Sequence, residues 1–196
     1  MSPVARKSLL VAGFGAFPGH AVNPAQIVAE KLRRRQKAFA VAGIDLHVAV
    51  LPVEHDALAP KLCRLFAETA PDAVLLLGVA GRRQKLSVET LARNRVTILR
   101  PDAAKHVAWS RFIAHGAPDF FRSPFDAPRL VALARRSGVA AAVSRDAGDY
   151  LCNESLYLSL LMDRRACFIH LPDWRGDALN RAARAIERMA KALALA

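Results

Sequence analysis

The chain has 196 residues, 53% of them hydrophobic, and carries a formal net charge of +12. This length suits one domain spanning residues 1–196 that folds without disulfides, and the apolar content excludes a disordered chain. No apolar run reaches the roughly 18 residues that a membrane span needs, so a cytoplasmic protein with no membrane partner is expected.

Apolar runs and amphipathic stretches alternate along the chain. Residues Ser8–Gly13 read as a buried strand. The surrounding SLLVAGFGAF resembles a secretory core segment, but its glycines and the helix start that follows argue for a strand. Asn23-Pro24 opens a helix to about Arg35, with Asn23 as cap and Pro24 at the favoured first position. A strand is expected at Ile44–Leu51, then a helix from Asp56 to about Thr69 with the stripe Leu58, Leu62, Leu65 and Phe66. The run Asp72–Leu77 is typical of a central strand covered on both faces. Residues 84–100 suggest a β-excursion, and 101–127 are the least regular. A helix over Pro128–Arg136, a strand over Val139–Val143, a helix over Cys152–Met162 and a strand over Ala166–Leu171 follow. A helix from Asp177 closes the chain. Such alternation implies an α/β domain with a mostly parallel sheet and helices on both faces. Function is then expected at the carboxyl ends of strands, in the loops Phe14–Gly19, Val79–Arg83 and Asp146–Leu151.

Charge and cysteine usage narrow the partners. The arginines come as Arg33-Arg34-Arg35, Arg82-Arg83, Arg135-Arg136 and Arg164-Arg165, mostly near predicted helix ends, and aromatic residues do not interleave with them. That pattern fits solvated helix termini better than a nucleic-acid surface, so no nucleic-acid partner is expected. Three cysteines with no CxxC pair, and six dispersed histidines, point to neither a disulfide framework nor a metal site.

Three islands carry potential chemistry. Cys152, in AGDYLCNESLY, falls in the first turn of a predicted helix, where peptide dipoles favour a thiolate, although Asp149 and Glu154 act against it. A buried structural cysteine fits the same residue, and that is the reading for Cys63 and Cys167. His170 ends a strand and can face a cleft or sit satisfied in the core. Glu89 lies in the β-excursion and can equally be an exposed strand carboxylate. Thiol, imidazole and carboxylate are together what a thiol hydrolase requires. The loop Gly13–Gly19 misses the GxGxxG spacing and has no P-loop lysine. Its Phe14 and Phe17 suggest an apolar slot for a flat ring.

These segments together resemble the pyroglutamyl peptidase I family of cysteine peptidases. GFGAFPGHAVNP resembles the family's opening GFxPFxxxxxNP stretch, with Ala16 at the proline position. GVAGRRQKLSVETLARN resembles its glycine-rich turn and ExxAxN motif, SRDAGDYLCN its SxxAGxYLCN stretch, and FIHLP its FIHxP segment, over residues 8–172. The resemblance implies a three-layer α/β/α sandwich with a mostly parallel twisted sheet. It implies Cys152 as nucleophile, His170 as base and acid, and Glu89 as the group orienting His170. Phe14 and Phe17 would hold the lactam ring of a peptide with a blocked N-terminus, and backbone N–H groups at the Cys152 helix would support the oxyanion. No cofactor is implied, and a homo-oligomer is, with the apolar 108–127 stretch as a source of contacts.

The chain also departs from the family pattern. Val79 stands where the family has glutamine beside the substrate slot, and Arg82 where it has a second glycine. The family's arginine after ExxAxN aligns near Leu99, between Arg95 and Arg100. The DNxGxxP stretch is missing, and the loop between Arg100 and Gly116 is shortened. Two other functions remain open: on these departures, a thiol hydrolase of the same fold for another amide or acyl group, and on the +12 charge, a basic binding protein without catalysis.

Overall fold

The computed structural model describes residues 6–17 and 21–196. Pro18 and Gly19, the end of the glycine loop, lie outside the described residues. The elements are, in order, β1 (Lys7–Phe14), α1 (Pro24–Arg33), α2 (Gln36–Val41), β2 (Ile44–Leu51), α3 (His55–Thr69), β3 (Ala73–Val79), β4 (Leu86–Glu89), β5 (Leu91–Arg93), β6 (Phe120–Arg122), α4 (Ala127–Arg136), β7 (Ala141–Ser144), α5 (Leu151–Leu161), β8 (Ala166–Leu171) and α6 (Gly176–Ala194). The sheet order is β2-β1-β3-β8-β4-β7. The first four strands are parallel, while β4 pairs antiparallel with β8 and parallel with β7.

Alternation along the strands builds the three layers. Leu9, Val11, Leu75, Leu77, Cys167 and Ile169 face one side, where they pack with residues of α1, α4 and α6. Leu10, Ala12, Val74, Leu76 and Phe168 face the other side, with α3 and α5. Both faces being covered explains the unbroken apolar runs of β1, β3 and β8.

Local chemistry sets the element ends that matter for the site. The Asn23 side chain accepts from the Ala25 N–H (2.9 Å) and donates to the Gly15 carbonyl (2.8 Å), so it caps α1 and holds the glycine loop at once. Helix α5 is buried on nearly all sides, which removes the amphipathic stripe of a surface helix. The sheet lies on one side of it, and the β5–β6 ribbon crosses the other. There Phe121 and Tyr157 rings meet at 5.1 Å, and the Tyr157 hydroxyl donates to the Pro118 carbonyl at 2.6 Å. Asn153 ties the start of α5 to this ribbon by accepting from Arg93 N–H and donating to the Arg93 and Arg95 carbonyls.

The structure corrects the sequence reading in four places. The first helix stops at Arg33, and a separate short α2 follows, because the backbone at Arg35 leaves the helical region. The irregular 101–127 stretch contains β6, whose partner β5 lies some thirty residues earlier, beyond the reach of local periodicity. Cys63 is exposed rather than buried, since it lies beside the α3 stripe that Leu58, Leu62 and Leu65 form. The loop after β7 does not leave the same sheet edge as those after β1 and β3. Because β7 is antiparallel to them, residues 145–150 must run back across the sheet to start α5.

Gly13 lets α1 lie directly on β1: a Cβ there would stand 2.6 Å from the Ala25 carbonyl oxygen. Gly13→Ala is therefore expected to cost about 1–3 kcal/mol through forced overpacking, read as a lower urea midpoint with an unchanged m-value.

Candidate active site

Three strands bring the expected residues to one face of the sheet. In the β3–β8 register Gly78 is the partner of His170, and in the β4–β8 register Ser87 opposes His170 and Glu89 opposes Phe168. Directly opposed residues point to the same face, so His170, Phe168 and Glu89 share the face that α5 covers. Cys152 occupies the first turn of α5. Its sulfur rests on Gly78, where a Cβ would stand 2.9 Å from Sγ and 2.6 Å from the Phe168 ring. Only a residue without a side chain leaves room there. The thiol is thereby seated over the register partner of His170.

Glu89 is fully buried and His170 is 4% exposed. His170 Nδ1 donates to Glu89 Oε1 at 2.8 Å, which leaves Nε2 as the basic nitrogen. The same Oε1 accepts from Arg83 Nη1 at 2.6 Å, while Arg83 Nη2 donates to the Asp146 carbonyl at 2.6 Å. Burial lowers the His170 pKa below its ordinary value, against the pull of Glu89, and Arg83 lowers it further. Burial and then the Glu89 charge push the Cys152 thiol up to about 12, with Arg83 and Arg100 acting the other way. At neutral pH the pair therefore rests as thiol and neutral imidazole.

Cys152 opens onto a cavity of about 560 Å³ whose lining includes Phe14, Phe17, Val79 and Leu151. All three residues expected to hold substrate thus border the cavity that the thiol enters. The opposite wall is polar and comes from the stretch after Arg100 and from Tyr150. The Arg100 guanidinium lies 4.9 Å from the Tyr150 ring centre and pairs with Asp149 at 3.0 Å, and the Tyr150 hydroxyl donates to the Pro101 carbonyl. Asp102 accepts from the backbone N–H groups of His55 (3.0 Å) and His106 (2.9 Å), and these bonds hold its carboxyl below the usual range despite burial. The His55 ring in turn meets Glu154 at 2.6 Å.

The sequence reading missed Arg83, grouping it with solvated basic pairs, although its position six residues before Glu89 in a turn was a usable signal. It also missed His55, which no motif flagged. The asparagine of ETLARN, Asn94, is structural: its side chain bonds Ala114 and Ala117 backbone and shapes the irregular loop. Among the described residues no cluster of three metal-ligating side chains occurs.

Comparison with known proteins places this geometry among relatives. The pyroglutamyl peptidase family model matches residues 7–194. The chain is 34% identical over 192 residues to a pyrrolidone-carboxylate peptidase of Thermococcus onnurineus, covering 94% of each chain. It is 31% identical to pyroglutamyl-peptidase 1 of Rattus norvegicus, covering 92% of this chain and 88% of that one. Among solved structures, pyrrolidone carboxyl peptidase from Thermus thermophilus superposes with a TM-score of 0.82 at 34% identity, covering 93% of this chain and 97% of that one. Pyroglutamyl peptidase I from Bacillus amyloliquefaciens superposes with a TM-score of 0.87 at 25% identity, covering 97% and 96%.

Two measurements test the electrostatics. On a Cys63→Ser background, alkylation of Cys152 should keep accelerating from about pH 6 to about pH 10, and a plateau below neutrality would mean a preformed thiolate. Burial opposes protonation of His55, but Glu154 outweighs it and raises the pKa above 6.5. His55 therefore stabilises the fold fully below its unfolded pKa and loses that contribution as pH rises through the raised value. The stability gap between wild type and His55→Gln should narrow on going from about pH 6 to about pH 9, measured by urea unfolding.

Proposed function

Because the chain belongs to the pyroglutamyl peptidase family, we propose that it is a cysteine-type omega peptidase that hydrolyses N-terminal pyroglutamate from peptides, with Cys152, His170 and Glu89 as its catalytic groups. The observation that carries this reading is the Cys152 sulfur seated on Gly78, the register partner of His170 in the buried His170–Glu89 pair, and bordering a cavity that Phe14 and Phe17 line on one side.

In this mechanism the pyroglutamyl ring lies between Phe14 and Phe17 with its acyl carbon over the sulfur. His170 Nε2 takes the thiol proton as Sγ bonds to that carbon. The high resting thiol pKa means that proton transfer and attack occur together once substrate has displaced water. Glu89 holds the Nδ1–H tautomer and stabilises the imidazolium that forms. The carbonyl oxygen, now negative, is received by backbone N–H groups of the first turn of α5, whose cap Tyr150 supplies no side-chain bond. Collapse breaks the C–N bond, and the departing amine takes the proton from His170. Water, deprotonated by the same imidazole, then cleaves the thioester and restores the thiol.

One observation favours a second reading, a thiol hydrolase for another acyl amide. Val79 borders the cavity where the family has glutamine, and a site that lacks a polar partner discriminates differently. Release of a coumarin from its pyroglutamyl amide decides between the two. Turnover should fall by at least about 10³-fold in Cys152→Ser and in His170→Gln. A wild-type protein that is labelled at Cys152 by a thiol probe yet releases no coumarin would transfer the case to the second reading.

We also assign the expected homo-oligomer to the apolar surface of the 107–120 stretch, where Trp109 is 93% exposed and Phe112 and Phe120 about half exposed. Trp109→Glu should then reduce the mass measured by light scattering, and a monomeric wild type would end this assignment.

A further inference from the structure

We infer that Arg83 is a fourth member of the catalytic array, a positioning residue whose guanidinium fixes the buried Glu89 carboxyl and ties the nucleophile loop to it. The inference rests on the hydrolase reading above and extends it to a residue outside the triad.

The argument begins with Glu89. Its carboxyl is completely removed from water, so its position is set by the partners that reach it. His170 offers one N–H, at 2.8 Å from Oε1. Arg83 offers a permanent charge. A guanidinium does not deprotonate in a protein, and its Nη1 reaches Oε1 at 2.6 Å, closer than the imidazole does. Among the described residues Glu89 Oε2 has no hydrogen-bond partner, so both bonds that hold this carboxyl fall on Oε1.

The second arm of the guanidinium serves a different element. Arg83 Nη2 binds the Asp146 carbonyl, in the loop that returns from β7 and delivers Cys152 at the head of α5. Arg83 itself sits in the turn after β3, where its N–H closes on the Ala80 carbonyl at 2.9 Å, and Val79 of that segment borders the cavity. One planar group thus joins the pocket turn, the buried carboxylate and the nucleophile loop with two short bonds, a geometry that a lysine cannot reproduce.

A direct sign follows for protonation. The His170–Glu89 pair carries one negative charge when competent and none once it takes up a proton. Removing the adjacent cation favours the protonated pair, whichever residue holds the proton. The acid limb of kcat/KM must therefore move to higher pH. The charged and titratable groups around the pair are Arg83, Asp146 and the thiols of Cys152 and Cys167, and Asp146 acts in the opposite sense to Arg83.

The test compares Arg83→Met and Arg83→Lys with wild type, using the pyroglutamyl coumarin and, independently of any substrate, the NMR titration of the His170 ring. Arg83→Met is expected to lower kcat at least tenfold at neutral pH with KM within about twofold. Its acid limb and the His170 titration should both shift upward. Arg83→Lys keeps the charge, so its limb should stay near wild type while kcat recovers only in part. Should Arg83→Met not fold, Arg83→Gln, which keeps donors but no charge, carries the same prediction. A folded neutral variant with an unmoved His170 titration and near wild-type kcat overturns the proposal. If wild type lacks turnover, the substrate assignment fails, but the NMR shift still decides the role of Arg83.

Discussion

One carboxylate oxygen, Glu89 Oε1, holds the centre of this molecule together. It lies at the end of β4, one strand in from the sheet edge, fully enclosed, and receives both the Arg83 guanidinium and the His170 imidazole. A buried charge of this kind contributes little net stability, since the desolvation cost offsets most of the attraction. Its value lies in what it fixes. It sets the histidine tautomer, and it fixes the position of the loop from β7 through the second arm of Arg83. Loss of Arg83 would leave the buried carboxyl without its cation, and loss of His170 would leave Oε1 with one donor fewer.

The second constraint is steric. Helix α5 is pressed between the sheet and the β5–β6 ribbon, so its apolar residues point in every direction and its register has no freedom. Asn153 pins the head of the helix with three bonds to the ribbon, and Gly78 admits the Cys152 sulfur against the strand next to His170. Position is therefore determined by packing, and reactivity is left low. Burial raises the thiol pKa and lowers that of the imidazole, which disfavours the thiolate–imidazolium form. Catalytic power must then come from the geometry that substrate binding completes, as the arrival of an acyl carbon gives the thiol proton a reason to move.

Legibility in the sequence follows the range of the interactions. Strands such as Ala166–Leu171 and helices such as Pro24–Arg33 are set by local periodicity, capping and proline placement, and they were readable to within a few residues. That Cys152, His170 and Glu89 would meet was readable because DYLCN, FIHLP and ETLARN together resemble stretches of one family. What escaped was set at long range. The β5–β6 pairing joins segments with no common signal. The antiparallel course of β7 depends on the sheet edge it finds, and Cys63 differs from a buried stripe residue by one step around a helix. Arg83 was hidden by its likeness to the other arginine pairs. Only the fold shows that it turns inward to Glu89 while those pairs remain near helix ends.

The pocket wall is fastened from behind. The stretch after Arg100 is held because Asp102 accepts two backbone N–H groups and the Tyr150 hydroxyl donates to the Pro101 carbonyl. The anchor behind it is a second imidazole–carboxylate pair, His55–Glu154, and Glu154 lies two residues beyond Cys152 on the same helix. Wall and nucleophile are thus fastened to one rigid element, so the distance between them does not depend on loop length. Substitution on the facing side, at Val79, can then alter which ring is held without disturbing where the acyl carbon meets the sulfur. Val79 and the Arg100–Tyr150 side thus stand on different walls of one cavity, with the Cys152 sulfur bordering both.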